Sequence, residues 1–114
     1  MTHAAQMTAV KQYWVYVLLC RDGSFYTGVT SLLERRIAQH HQGEFPNCYT
    51  YERRPLKLVH VSEFHSPEQA IAAEKKLKSW THAKKHAFVR GDWGELRRLS
   101  QVAVRDEGPS TSSG

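Results

Sequence analysis

A glutamate on the apolar side of a predicted helix is the first candidate for chemistry. Residues 67–80 are predicted to form a helix with about 100° between successive residues. Its apolar arc consists of Ala70, Ala73, Leu77 and Trp80, with Ile71 at the edge. Glu74 falls inside this arc, where a carboxylate is rarely placed without a partner. Glu74 is therefore either a metal ligand or acid–base group, or an edge residue satisfied by a neighbouring cation.

An arginine and a histidine on the preceding predicted helix are further candidates. Leu33 and Ile37 mark its apolar side, and Arg36 and His40 lie one turn apart on the flank of that side. A guanidinium suits a phosphate, and an imidazole suits proton transfer near neutral pH. The alternative is that Arg36 forms a buried structural salt bridge with Glu74.

A predicted hairpin carries two tyrosines and an unusual glycine. Tyr16 and Tyr26 lie in strands joined by a tight turn at Asp22-Gly23, so antiparallel pairing can bring both phenols near one another. Ordinary aromatic packing is the alternative. Gly28 inside the second strand indicates close approach of another backbone or of a ligand.

The remaining pattern predicts an α+β fold of order β-β-α-β-α-α. Strands are predicted at residues 13–20, 25–29 and 56–64, and helices at 31–41, 66–80 and 81–90, with a short helical piece at 93–101. Ser31, Ser66 and Thr81 are the predicted N-caps, and Ser31 forms a capping box with Glu34. A small three-stranded antiparallel or mixed sheet flanked by helices is the natural packing of these elements.

The 114 residues suffice for one domain. We expect a flexible N-terminal arm at residues 1–11, the domain at residues 12–101 and a disordered C-terminal tail at residues 102–114. No apolar run is long enough to span a bilayer, and no apolar signal segment precedes the domain. Two cysteines without metal-type spacing agree with a cytoplasmic protein whose thiols are reduced.

The charge is uneven along the chain. The net charge is +5, and residues 65–105 carry nine of the sixteen lysines and arginines against four of the eleven acidic residues. This half predicts a positive surface for a polyanion such as a nucleic acid, or a solvated basic face. The sequence indicates neither a membrane contact nor a protein partner.

Together, these residues resemble the core of the GIY-YIG nuclease superfamily, in its small stand-alone bacterial branch. The resemblance covers residues 14–89. It rests on Trp14-Val15-Tyr16, Tyr26-Thr27-Gly28, Glu34-Arg35-Arg36, His40, Glu74, Tyr49-Thr50 and Arg53-Arg54-Pro55. Trp14 replaces the glycine of the first motif, Val15 and Thr27 replace isoleucines, and His41 stands where relatives often have asparagine.

The resemblance implies a metal-dependent endonuclease that hydrolyses DNA phosphodiester bonds. Glu74 would hold one Mg²⁺ or Mn²⁺, Arg36 would bind the phosphate, and Tyr16 or Tyr26 would act as the base with help from His40. The substrate would be branched, nicked or single-stranded DNA in repair or recombination, with RNA also open. Substrate contacts are expected from Gly28, Arg53, Arg54, Lys75, Lys78, Lys84 and Lys85.

Two other functions compete with this one. A non-catalytic nucleic-acid-binding module would keep the fold and the basic surface without turnover. A zinc protein would use His82 and His86, which lie one helical turn apart, but the sequence indicates no third ligand.

Overall fold

The structure is a computed structural model that describes residues 11–107, with side chains through Gln101. Its strands are β1 (Tyr13–Leu19), β2 (Phe25–Thr30) and β3 (Lys57–Phe64). Its helices are α1 (Leu33–Gln42), α2 (Pro67–Lys78), α3 (His82–Arg90) and α4 (Trp93–Glu107), and one 3-10 turn, Tyr51–Arg53, lies in the loop before β3. The predicted α+β class and the order β-β-α-β-α-α are confirmed.

The sheet is antiparallel throughout, with the strand order β2-β1-β3. The predicted hairpin turn is present, because Gly23 adopts φ +87° and Asp22 Oδ1 accepts the Ser24 N–H at 3.1 Å. The central strand places Tyr16 opposite Gly28 on one side and opposite Val61 on the other. Tyr16 therefore lies in the middle of the sheet.

Each face of β1 is buried. On one face, Tyr16 and Leu18 form a core with Cys20 and Leu56, and α1 packs Leu33 and Ile37 against it, as its apolar side predicts. The alternate residues Val15 and Val17 are buried on the opposite face. Helix α2 contacts all three strands, and Ala70 and Leu77 are its buried residues.

The predicted caps of two helices are confirmed. Ser66 Oγ accepts the Gln69 N–H at 3.3 Å at the start of α2. Thr81 Oγ1 accepts the Lys84 N–H at 3.2 Å at the start of α3. These bonds satisfy N–H groups that the first helical turn leaves without an intrahelical acceptor.

The prediction that Ser31 caps α1 is wrong. The N-cap residue is Leu32, which makes no side-chain cap bond, and the helix begins at Leu33. Thr30 Oγ1 instead accepts the Leu32 N–H at 3.0 Å, so the last residue of β2 orders the turn into the helix.

The predicted end of the last helix is also wrong. Helix α4 continues past Gln101 to Glu107, because no glycine or proline interrupts the chain before Gly108. The boundary expected between residues 101 and 102 thus falls within a helix. The rest of the predicted arm and tail, residues 1–10 and 108–114, lies outside the described residues.

The described chain divides into two compact units at Ser79–Trp80. The first contains the sheet, α1 and α2. In the second unit, α3 packs against α4. The ring centroid of Phe88 lies 5.6 Å from that of Trp80 and 6.0 Å from that of Trp93. No helix within residues 11–107 has both the length and the apolar character to cross a membrane.

Candidate active site

Tyr16 and His40 are joined by a buried hydrogen bond. Strand alternation turns Tyr16 towards α1, whose last turn carries His40, and 2.8 Å separates the phenol oxygen from His40 Nε2. Tyr16 is 1% exposed. Burial raises the pKa of Tyr16 to about 12. The charge and hydrogen bond of Arg36 act in the opposite direction and lower this pKa, but burial has the larger effect. The phenol of Tyr16 is therefore protonated at neutral pH when no ligand is bound.

The other imidazole nitrogen contacts the loop before β3. His40 Nδ1 lies 3.1 Å from Thr50 Oγ1, and the Thr50 hydroxyl donates to Cys48 Sγ at 3.5 Å. Burial, together with the charges of Arg36 and His41, lowers the pKa of His40. His40 is thus a neutral imidazole with a partner on each nitrogen.

Tyr26 lies beside the same pair, as the hairpin predicts. Its ring centroid is 6.3 Å from that of Tyr16 and 5.3 Å from that of His40. Its other neighbour is Tyr49, whose ring stacks on it at 6.4 Å. Burial, followed by the neighbouring Tyr16 and Cys48, raises the pKa of Tyr26.

Gly28 provides the space that Tyr16 occupies. A methyl group on Gly28 would lie 2.5 Å from Tyr16 Cζ, closer than any real contact of a Cβ atom. The close approach to Gly28 is therefore made by a side chain of the neighbouring strand, and not by the backbone that the sequence predicts as one alternative. A contact of Gly28 with substrate stays a prediction.

Arg36 supplies an unused donor beside Tyr16. Its guanidinium carbon lies 5.5 Å from the centre of the Phe45 ring. Arg36 Nε is buried and has no hydrogen-bond partner within the described chain. Because buried polar groups are nearly always satisfied, the unpaired guanidinium nitrogen makes Arg36 a candidate for binding a ligand.

Glu74 is largely buried and pairs with the next turn of its own helix. Its side chain is 15% exposed, and Oε2 lies 3.0 Å from Lys78 Nζ. Its negative charge contributes to the raised pKa values of Tyr16 and Tyr26. The alternative of a structural Arg36–Glu74 salt bridge is wrong, since the ion pair of Glu74 is with Lys78.

The carboxylate of Glu74 fits one kind of metal site. Among the side chains of residues 11–101, no group of three or more from His, Cys, Asp or Glu converges on a common point. Mg²⁺ is usually held by one or two carboxylates with water and substrate phosphates, and the single carboxylate of Glu74, with Arg36 available to bind a phosphate, suits that chemistry. A tetrahedral zinc site needs three or four protein ligands. The rings of His82 and His86 stack 6.3 Å apart, without a third ligand in the described structure.

The two predicted arginines of the loop make contacts within the protein. Arg53 Nε lies 3.0 Å from Asp22 Oδ2, and its guanidinium covers the Tyr49 ring at 3.7 Å. Arg54 Nε donates to the Tyr51 carbonyl at 2.8 Å. Both side chains hold the loop that carries Thr50, and their contact with substrate stays a prediction.

The four predicted lysines divide between the two units. Lys75 is exposed on α2, and Lys78 pairs with Glu74 on the same helix. Lys84 and Lys85 lie on α3 in the second unit. Their role in binding substrate stays a prediction.

Two polar residues of the site have no predicted role. Thr50 and Cys48 lie in the loop between the helix predicted at residues 31–41 and the strand predicted at residues 56–64. Neither helical nor strand periodicity governs such a loop, so the contact of Thr50 with His40 has no sequence signal. The resemblance includes Tyr49-Thr50 but assigns it no function.

Comparison with known proteins identifies the family of this chain. The family model described as the GIY-YIG catalytic domain matches residues 12–87. The chain belongs to the GIY-YIG family, whose domain is a nuclease fold, so its substrate class is nucleic acid.

The similar proteins are small and stand-alone. A UPF0213 protein of Natronomonas pharaonis is 43% identical over 82 residues, which cover 72% of this chain and 95% of the relative. A UPF0213 protein of Bacillus velezensis is 37% identical, with coverages of 81% and 87%. A solution NMR structure from E. faecalis is 37% identical, covers 71% of this chain and 85% of its own, and has a TM-score of 0.51. The resemblance stated from the motifs is confirmed.

Proposed function

We propose that this protein is a divalent-metal-dependent endonuclease that hydrolyses phosphodiester bonds in DNA. The observation that carries the proposal is the buried Tyr16–His40 hydrogen bond, beside which Arg36 has an unpaired nitrogen. Hydrolysis of a phosphodiester requires a base for water, a ligand for the phosphate and positive charge for the developing anion. Tyr16 matches the first requirement and Arg36 the second. Glu74 would meet the third through the divalent cation that its carboxylate would hold.

Tyr16 is the base in this proposal. The phenol donates its proton to His40 Nε2, and the phenolate oxygen then accepts a proton from the attacking water. The oxygen of that water forms a bond to phosphorus as the bond to the leaving oxygen breaks. Tyr26 has no comparable contact with His40 in the described structure, since the two rings meet edge to face at 5.3 Å between centroids.

The raised pKa of Tyr16, about 12, must fall for this transfer to occur near neutral pH. Arg36 already lowers the pKa through its charge and hydrogen bond. When bound on Glu74, Mg²⁺ or Mn²⁺ supplies positive charge that stabilises the phenolate, the phosphate and the leaving oxygen. Arg36 presents its remaining donors to the phosphate, which a planar guanidinium can contact through two oxygens.

The substrate in this proposal is DNA recognised by shape. Lysine contacts with phosphate do not depend on base sequence, and Lys75 is exposed on the helix that carries Glu74. We therefore propose branched, nicked or single-stranded DNA as the substrate, in repair or recombination.

The test is cleavage of a panel of labelled DNA structures by the wild-type protein. Each structure is incubated with Mg²⁺, with Mn²⁺ and with a chelator. We expect cleavage of at least one branched, nicked or single-stranded substrate, with no product in the chelator. Binding without cleavage of any substrate would overturn the proposal and favour a non-catalytic nucleic-acid-binding module.

A further inference from the structure

Thr50 uses its hydroxyl in an unusual way. It precedes the 3-10 turn Tyr51–Arg53, where a threonine side chain commonly caps the backbone. Here the side chain makes no cap bond, and Thr50 is 1% exposed. Its oxygen instead lies 3.1 Å from His40 Nδ1 and 3.5 Å from Cys48 Sγ. The hydroxyl is therefore committed to the active-site histidine.

The direction of these bonds follows from counting protons. The Thr50 hydroxyl has one proton, which it donates to Cys48 Sγ. Its oxygen must then accept the N–H of His40 Nδ1. A neutral imidazole has only one N–H, so the other nitrogen, Nε2, carries a lone pair. That lone pair faces the Tyr16 hydroxyl at 2.8 Å.

The opposite tautomer of His40 would reverse the direction of its hydrogen bond with Tyr16. With its proton on Nε2, His40 would donate to the Tyr16 oxygen, and the phenol proton would have no acceptor on His40. Other groups lie near the imidazole, with Arg36 and His41 on its own helix, Tyr26 on β2 and Phe45 in the loop. Among the described residues, none of these groups makes a hydrogen bond to His40 Nδ1, which leaves Thr50 to select the tautomer.

We propose that Thr50 is a positioning residue that fixes His40 as the Nδ1–H tautomer, so that Nε2 can take the proton of Tyr16. The catalytic consequence rests on the proposed function. When the phenol proton moves to Nε2, His40 becomes an imidazolium whose Nδ1–H still donates to Thr50. The hydroxyl thus keeps its bond throughout the transfer, as a backbone carbonyl or carboxylate does for other histidines.

Two variants separate the hydroxyl from the shape of the side chain. Thr50→Val has nearly the same volume but cannot accept a hydrogen bond. Thr50→Ser keeps the hydroxyl and loses only a methyl group. The ring-nitrogen chemical shifts of His40, in protein labelled with ¹⁵N-histidine, report the tautomer directly and need no nuclease activity.

We expect the wild-type protein and Thr50→Ser to show the Nδ1–H tautomer, and Thr50→Val to shift His40 towards Nε2–H. Wild-type protein with the proton on Nε2 would overturn the proposal, and this result can be read even where Thr50→Val does not fold. A folded Thr50→Val protein with an unchanged tautomer would also overturn it.

Cleavage assays test the catalytic consequence separately. Thr50→Val should cut about 10- to 100-fold more slowly, an effect of the size known for partners that orient metal-bound histidines. Thr50→Ser should recover most of the rate. Equal rates in all three proteins would overturn the catalytic part. Absence of cleavage by the wild-type protein would refute the proposed nuclease activity. The ¹⁵N shifts would still show whether Thr50 sets the tautomer of His40.

Discussion

Tyr16 and His40 share a buried hydrogen bond of 2.8 Å that connects the middle of the central strand to the last turn of α1. Tyr16 is also a member of the main hydrophobic core, so the packing that holds the fold also fixes the phenol. Such rigid support limits the reorganisation that proton transfer requires.

Removal of the phenol oxygen should stop cleavage without unfolding the protein. Tyr16→Phe keeps the ring in the core but removes both the base and the partner of His40 Nε2. We expect cleavage to fall by about 10²- to 10⁴-fold, and the free energy of unfolding to fall by about 1 kcal/mol. Single-turnover cleavage and urea unfolding measure the two effects. Tyr13→Phe, on the same strand, should change neither, and Tyr16→Phe with the wild-type rate would contradict a role as base.

A methyl group on Gly28 should displace the same tyrosine. The added carbon would lie 2.5 Å from Tyr16 Cζ, so Gly28→Ala should reduce the free energy of unfolding by about 1–3 kcal/mol and also slow cleavage. Gly94→Ala is the control, because the nearest atom to its new methyl group, an Asp92 oxygen, lies 3.9 Å away. In that helix the change should stabilise by up to about 1 kcal/mol. Equal stability of the two variants would show that Tyr16 moves freely.

The stability of the protein should fall as the pH drops below about 6.5. Burial, Arg36 and His41 lower the pKa of His40, so below the ordinary histidine value the unfolded chain binds more protons than the folded one. The contribution of His40 is therefore complete above about pH 6.5 and is lost as the pH falls towards the folded pKa. His60, whose pKa burial also lowers, acts in the same direction.

Urea unfolding between about pH 7.5 and 5 measures this slope, above the range where carboxylates titrate. His40→Gln should have a shallower slope than the wild-type protein, and His60→Gln serves as a matched comparison. An unchanged slope in both variants would mean that neither histidine is buried as the structure describes.

Lys78 should compete with a metal ion for Glu74. The ammonium lies 3.0 Å from the carboxylate, and the lysine side chain is 52% exposed, so the pair is worth at most about 1 kcal/mol. Lys78→Gln should therefore tighten Mn²⁺ binding by up to about fivefold. Paramagnetic broadening of NMR signals during a Mn²⁺ titration measures the affinity. Lys75→Gln removes the same charge from the same helix without touching Glu74, and an equal effect of both variants would contradict direct competition.

Local sequence patterns predict much of this fold. Strand alternation, the Asp22-Gly23 turn and the caps Ser66 and Thr81 act within a few residues, and each is confirmed. The first helix start is an exception, because two hydroxyls, Thr30 and Ser31, compete for the turn and the structure uses Thr30. A local pattern cannot decide between adjacent groups of the same chemistry.

The sequence predicts which residues form the candidate site better than it predicts the hydrogen bonds and ion pairs among them. Helical phase alone directs Arg36, His40 and Glu74 towards the sheet, and the partly buried position of Glu74 agrees with this. The partner of Glu74 is Lys78 rather than Arg36, since a neighbour at i+4 on the same helix is always within reach. The Thr50–His40 bond joins a helix to an irregular loop, and no periodicity specifies it.

Metal-dependent cleavage by Glu74→Gln tests the central claim most directly. The swap keeps the shape of the side chain and breaks only a partly exposed pair with Lys78, so the melting temperature should stay near that of the wild-type protein. We expect no cleavage of the DNA that the wild-type protein cuts in Mg²⁺ or Mn²⁺, while DNA affinity stays equal or tightens with the loss of one negative charge. A folded Glu74→Gln protein that cuts this DNA at the wild-type, metal-dependent rate would contradict the account.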